Sequence, residues 1–267
     1  MKKYLSFFRI RFTNSLQYRA AALAGIVTQF AWGILELLLF RAFYETDPAA
    51  FPMGFEQLSS HIWFNQAFLS MFMVWFFDKD IFKSITDGNV AYELTRPMNL
   101  YTMWFTKNMA VRLSKALLRC FPVLIFAILL PRPYGLSAPA SPLAFFMFLY
   151  TGILAFLNVI SYCMLIYILT FYTMNPTGVN AVASVLADIF TGAYIPLPFL
   201  PEKLQTVIGF TPFAVMQNLP FRVYSGSISG GEMWHLAGMQ LFWLSVMIGG
   251  GMLLMRSALR RVVVQGG

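Results

Sequence analysis

Residues 143–171 read LAFFMFLYTGILAFLNVISYCMLIYILTF, an apolar run without a single charged side chain. A membrane crossing needs about 20 mostly apolar residues, so this stretch is long enough by itself. Five further runs of similar character flank it, from about Ala21 to Tyr44, Leu58 to Phe77, Met109 to Leu130, Val179 to Leu200 and Trp234 to Met255. Backbone polar groups in hydrocarbon must bond within their own segment, which selects helices. The runs also lack the period-two alternation of a membrane barrel. The expectation is an all-α polytopic membrane protein with six transmembrane helices, forming one domain over residues 1–267.

Composition points the same way. Of 267 residues, 58% are hydrophobic and 11% charged, where a soluble domain carries about 25% charged residues. Such a chain cannot cover a water-facing surface, whereas a lipid-facing one needs almost no charge. The segment from Met1 to Arg19 holds five Lys/Arg and no continuous apolar stretch, so no cleavable signal peptide is expected. Its Tyr4, Leu5, Phe8, Phe12 and Leu16 recur at helical spacing among Lys2, Lys3, Arg9 and Arg11, the pattern of an interfacial helix over 1–19. Residues 201–224 are apolar but broken by Pro212 and Pro220, which predicts a re-entrant hairpin on the far side between spans five and six. Cys120 and Cys163 fall inside apolar runs without a CxxC or a nearby histidine and read as packing residues.

Charge sets the orientation. With the N-terminus in the cytoplasm, only Arg41, Arg132, Lys203 and Arg222 of the 19 basic residues fall on the far side. The positive-inside rule supports this placement, with both termini cytoplasmic. It also accounts for the formal charge of +8 through anionic lipid at one face, without nucleic acid.

The longest cytoplasmic connection is 78–108. Ile81, Ile85 and Tyr92 are spaced to line one side of short helices broken at Gly88, and Pro97 stops the second. A charged, turn-containing knob suits docking in a cleft of a soluble partner; an ordinary solvated loop is the bland alternative. Glu36 and Asp188 lie inside predicted spans, where charge is costly, on the order of 2.5–3.5 kcal/mol on insertion scales. Asp188 shares a face with Ser184 and Thr191, a candidate cavity lining. Glu36 is expected to pair with Arg41 or with a group on another helix, or to touch substrate. Gln29, Asn65, Gln66 and Asn158 are read as polar glue between helices.

At this point the sequence resembles the permease subunits of ABC-2-type ABC transporters, in particular the DUF990-like branch that includes viologen-exporter-type permeases. The resemblance rests on Asp87-Gly88-Asn89 to Leu94-Thr95-Arg96-Pro97 after span two. It rests equally on the series GAYIPLPFLPEKLQ (192–205), TPF (211–213) and LPFRVYSG (219–226) around span five. It implies a dimer of six-helix subunits, either two copies or a copy with a paralogous permease, in a bacterial inner membrane. Each subunit would be bound to a separate ABC ATPase that carries the ATP and Mg. Ile81, Ile85, Asp87, Gly88, Asn89, Tyr92, Glu93, Arg96 and Pro97 would then couple to the ATPase. Tyr194, Pro196, Pro198, Pro201, Pro212, Phe213 and Pro220 would shape the extracytoplasmic gate.

The chain's own chemistry agrees. It contains no GxxxxGK[ST] phosphate loop. His61 and His235 lack metal-ligand spacing, and nothing resembles a hydrolytic triad. No catalysis and no cofactor is expected in this chain. Two other readings stand beside the permease. A secondary transporter or channel working alone would show inverted repeats and broken helices, yet no convincing repeat relates 1–130 to 131–267. A non-transporting scaffold would be indifferent to its partner's nucleotide state.

Overall fold

The computed structural model describes residues 2–17 and 19–261. Met1, Tyr18, residues 262–267 and the Arg19 side chain lie outside the described residues. Helix accounts for 78% of the structure, and no strand occurs among the described residues.

The chain opens with α1 (Lys2–Ser15) and α2 (Arg19–Thr46), followed by α3 (Phe55–Ala67) and the single turn α4 (Leu69–Phe72). A non-helical stretch at 73–78 leads to α5 (Lys79–Thr86) and α6 (Val90–Leu94). Two long helices come next, α7 (Leu100–Leu129) and α8 (Pro142–Thr173). The shorter α9 (Pro176–Phe190), α10 (Glu202–Gly209) and α11 (Asn218–Tyr224) precede α12 (Gly230–Leu259).

Four of the helix starts are written locally. Asp78, Asn99, Ser141 and Asn175 each accept a backbone N–H of the first turn, from Asp80, Thr102, Ala144 and Gly178 at 3.0–3.1 Å. Such side chains satisfy donors that a helix start leaves orphaned. Pro142 and Pro176 sit at the first turn of their helices, where no N–H is needed.

Among the described residues, three helices are long and apolar enough to cross a membrane: Ala22–Thr46 within α2, all of α8 and all of α12. More than half of the apolar window of α8 is buried (56%), against 28% in α2 and 22% in α12. The central post is therefore α8, while α2 and α12 turn most of their apolar surface outward. Leu23, Val27, Trp32 and Phe43 on α2, and Trp234, Phe242 and Leu253 on α12, stand exposed. An apolar exterior on this scale belongs in lipid.

The other predicted spans depart from their expected bounds. Helix ends at Phe72 rather than near Phe77, because the chain leaves α4 into the 73–78 stretch. The third run is helical from Leu100, well before Met109, since Asn99 caps it there. It also carries Arg112, Lys115 and Arg119 within its last eighteen residues. The fifth run stops at Phe190 rather than Leu200. Gly192 turns the chain at φ +75°, and a Cβ there would meet the Asn218 side chain at 2.9 Å.

Arg112 of α7 explains the break after α4. Its guanidinium donates to the carbonyls of Met71 (3.2 Å), Met73 (2.8 Å), Val74 (3.5 Å) and Phe76 (3.0 Å), and to Cys163 Sγ at 3.3 Å. The side chain is 2% exposed. A helix end leaves its last carbonyls without partners, and here one planar fork satisfies several together. Replacing Arg112 by Met strands those carbonyls and is expected to destabilise the protein by about 2–4 kcal/mol. Arg112→Lys, an ammonium without the fork, should lose less. Thermal unfolding in detergent should rank wild type, Arg112→Lys and Arg112→Met in that order.

Candidate functional site

Two regions at opposite ends of the bundle carry the polar residues. The first is the α5–α6 knob. Ile81, Phe82, Ile85 and Val90 point inward into the main core beside Trp104 and Tyr167, and each is at most 7% exposed. The surface between and beyond them is polar: Asp87, Gly88, Asn89, Thr95, Arg96 and Pro97 are exposed, and Tyr92 is 75% exposed. Ile81 and Ile85 therefore do not share a face with Tyr92, contrary to the sequence spacing. The turn at Gly88, with φ +74°, rotates α6 relative to α5. A residue with a Cβ is strained there even though the space is open.

Several bonds fix the base of this knob. Lys107 bridges Asp78 at 2.9 Å and Asp80 at 3.6 Å. Tyr167 accepts the Asp78 N–H at 2.7 Å and donates to Asn108 Oδ1 at 3.2 Å. Trp104 Nε1 donates to Glu93 at 2.5 Å, which turns Glu93 toward the bundle. Helix α1 joins from the other side. Lys3 Nζ donates to the Pro97 carbonyl, and the Asn99 N–H donates to the Tyr4 hydroxyl at 3.0 Å. On α1 itself Leu5 is 71% exposed and faces away from α7, while Phe7 packs against the core.

The second region is the excursion between α9 and α12. Phe199 packs against Phe40 and Phe51, with ring centroids 5.3 and 5.2 Å apart. The chain then passes through α10 to Phe213, whose ring lies 5.4 Å from Tyr162 and 5.9 Å from Phe190. It returns through α11 to Tyr224, 5.3 Å from Phe148. Along α8, Phe148 and Tyr162 are separated by about 21 Å at 1.5 Å per residue. Residues 201–224 thus run through α10 and α11, and the turn between them at Phe213 reaches in among α8, α9 and α12. Pro220 is buried in the first turn of α11, where a proline is tolerated. Of the other residues expected at this end, Pro196 is buried and Pro198, Pro212 and Phe213 are half-buried; Tyr194 and Pro201 are exposed.

Amides hold this turn. Asn65 donates to the Ala193 carbonyl at 2.7 Å and accepts from Gln217 Nε2 at 2.5 Å. Gln240 donates to the Thr151 and Val215 carbonyls at 3.0 and 2.8 Å, and Asn158 donates to the Gln240 carbonyl at 3.1 Å. Asn65, Gln66 and Asn158 join helices or loops as the sequence suggested. Gln29 is buried, with no bonded partner for its amide among the described residues.

The two carboxylates expected inside spans, Glu36 and Asp188, lie apart. Glu36 accepts from Gln66 Nε2 at 3.3 Å, while Arg41 pairs with Glu45 at 2.6 Å. Of the two partners expected for Glu36, Arg41 or a group on another helix, the structure has the second, and Arg41 is taken by Glu45 one turn away. Asp188 is half-buried and hydrogen-bonds to the Tyr194 hydroxyl. Ser184, one turn away, donates to Asn180 at 2.9 Å, and Thr191 is buried. Glu36 is on α2, which makes at most a marginal contact with α9, so the four residues form no single lining among the described residues.

Sequence reasoning missed Arg112, Tyr167 and Gln217. The signal for Arg112 was a permanent charge, with Lys115 and Arg119, inside a run apolar enough to be read as a span. These contacts define an all-helical protein with membrane-length apolar helices, in which the α5–α6 knob and the α10–α11 segment pack on the same central helix. The chain belongs to the ABC-2 transporter family: the family model described as ABC-2 family transporter protein matches residues 30–266. No curated protein matches the chain. Membrane components of this family are generally non-catalytic and usually pair with ABC ATPases.

The amide relay yields a direct expectation. Asn65→Ala and Gln217→Ala should each destabilise by about 1 kcal/mol. The double variant should cost less than the two together, with a coupling of about 0.5–1 kcal/mol. Thermal unfolding of all four proteins measures it.

Proposed function

We propose that this chain is the membrane-spanning permease subunit of an ATP-driven exporter, working as a dimer above separate ATPases in a bacterial inner membrane. The observation that carries this reading is the α5–α6 knob. Its apolar side is locked into the bundle, and its Asp87–Asn89 and Tyr92–Pro97 surface is left open. Non-docking loops have no need of a buried anchor of this kind. The ordered series around span five supports the DUF990-like branch.

In this reading the six spans are α2, α3 with α4, α7, α8, α9 and α12, with both termini cytoplasmic. The hairpin of α10 and α11 is re-entrant from the far side and shapes the gate. At 15 residues, α9 is about 22 Å long, short of the hydrocarbon thickness; the 191–200 segment completes the crossing. Irregular backbone at that depth is tolerated where protein buries it, as the Asn65–Ala193 bond does. ATP-driven closure of the ATPases moves the knob, and the cavity between subunits exchanges sides. Substrate must bind the two membrane states with different affinity for transport to follow.

Two outcomes test the proposal. Tyr92→Ala with Arg96→Glu should reduce co-purification of the ATPase and ATP-driven export at least tenfold, while unfolding temperature changes little, since both side chains are exposed. Vigorous transport by the chain alone in liposomes under an ion gradient would refute the reading. Asp188→Asn should change turnover or selectivity for cationic cargo by severalfold; an unaltered export profile removes Asp188 from the pathway.

A further inference from the structure

A cavity of about 720 Å³ lies between α1, the 73–80 stretch and α7. It is lined by six basic side chains, Arg11, Lys79, Lys107, Arg112, Lys115 and Arg119, against two carboxylates, Asp78 and Asp80. Lys107 holds both carboxylates, and Arg112 is committed to backbone carbonyls. Lys115 is half-buried with its Nζ 5.5 Å from the Phe76 ring centre, and the Arg11 guanidinium lies 5.2 Å from that of Phe7. Neither bonds a carboxylate among the described residues.

Cations gathered between low-dielectric walls focus a positive potential on the space between them. Arginine and lysine are the side chains that hold phosphate. Trp75, Phe76 and Val111 give the same cavity apolar walls, and the neighbouring α1 shows lipid-compatible Leu5 and Ile10 on its outer side. This mixture fits a phosphate tethered to acyl chains better than a soluble anion. Basic pockets between membrane helices on the cytoplasmic side are suited to anionic head groups.

We propose that this cavity binds the phosphate group of an anionic phospholipid from the inner leaflet, with Arg11 and Lys115 as its main contacts. The bound lipid clamps α1 onto α7 and so steadies the Lys3–Pro97 junction at the foot of the knob. The proposal rests on the cytoplasmic placement of the knob given above.

The full-length protein in detergent is titrated separately with phosphatidylglycerol, phosphatidylcholine and inorganic phosphate. Bound lipid is read by native mass spectrometry, and stability by thermal unfolding. Phosphatidylglycerol should be retained and should raise the unfolding temperature, and phosphatidylcholine should do neither. Arg11→Gln with Lys115→Gln should weaken phosphatidylglycerol binding at least tenfold. Arg11→Lys with Lys115→Arg should largely keep it, and the exposed control Arg256→Gln should change it less than twofold. Equal retention by wild type and the double Gln variant, or no preference over phosphatidylcholine, overturns the site. Equal stabilisation by inorganic phosphate without retained lipid overturns the lipid assignment in favour of a soluble anion. Orientation is read independently with Lys79→Cys and a membrane-impermeant maleimide. Labelling confined to inside-out vesicles supports the inner leaflet. Labelling from outside overturns both that leaflet and the permease orientation, whatever the lipid titration gives.

Discussion

A polypeptide that stops being helical inside a membrane protein must find partners for the carbonyls it releases, and here a single guanidinium supplies them. Arg112 reaches across from α7 to the turn after α4 and donates to carbonyls between Met71 and Phe76. Non-helical backbone at such a place is stable only when protein encloses it. The fork geometry of arginine allows one side chain to meet several acceptors, which a lysine ammonium does less well. The direction of everything that follows depends on this bond set. Asp78 can cap α5 and meet Lys107 only because the chain has already left the α4 axis at Met73.

The opposite end solves the same problem without charge. Around the segment between α10 and α11, Asn65, Gln217, Gln240 and Asn158 satisfy carbonyls through neutral amides. An amide carries both donors and an acceptor, so each can pass a bond to the next, as Gln217 does through Asn65 to Ala193. A buried charge at that depth would cost far more to desolvate. The two ends thus differ in kind: the break after α4 is held by a permanent cation next to a basic face, and the segment between α10 and α11 by a relay of dipoles. Helix α3 belongs to both halves. Nearly all of it is buried, and its Ser60 accepts from the Ser137 N–H at 3.1 Å while Trp63 donates to the Tyr134 carbonyl at 2.7 Å.

Hydropathy and charge made much of this legible. The runs that became α2, α8 and α12 were plain because their apolar character is continuous over more than 20 residues and tertiary contacts hardly modify it. The prolines at 212 and 220 mark a stretch that is not one continuous helix, and the chain there is divided between α10, a short 3-10 turn and α11. The family followed from an ordered series of short motifs, and the match over residues 30–266 agrees with it. The failures have physical causes. Helix α9 ends ten residues early because Gly192 and the Asn65 bond redirect an apolar segment whose hydropathy never changes. Tyr92 faces outward because one positive-φ residue, Gly88, resets the helical phase between α5 and α6. The partners of Glu36 and Arg112 lie 30 to 51 residues away in sequence, and no local pattern records such pairings.

The same connections bear on how force would travel in the proposed transport cycle. A knob joined to the bundle through one flexible linker would swing under load and transmit nothing. This one is tied at Pro97 and Asn99 to α1, at Glu93 to α7, and at Asp78 to both α7 and α8. A push on its tip therefore cannot be absorbed by local rotation. The most compliant element in line is the 73–78 stretch, which lacks a helical ladder of its own. Coupling between distant sites requires an element with two discrete arrangements that both sites bias. The carbonyls around Arg112 offer such an element, because the guanidinium has more acceptors in reach than its two terminal nitrogens can bond equally well. A shift of the stretch along the fork would trade one carbonyl for another without stranding the charge, and it would move α4 and the polar helix α3 above it.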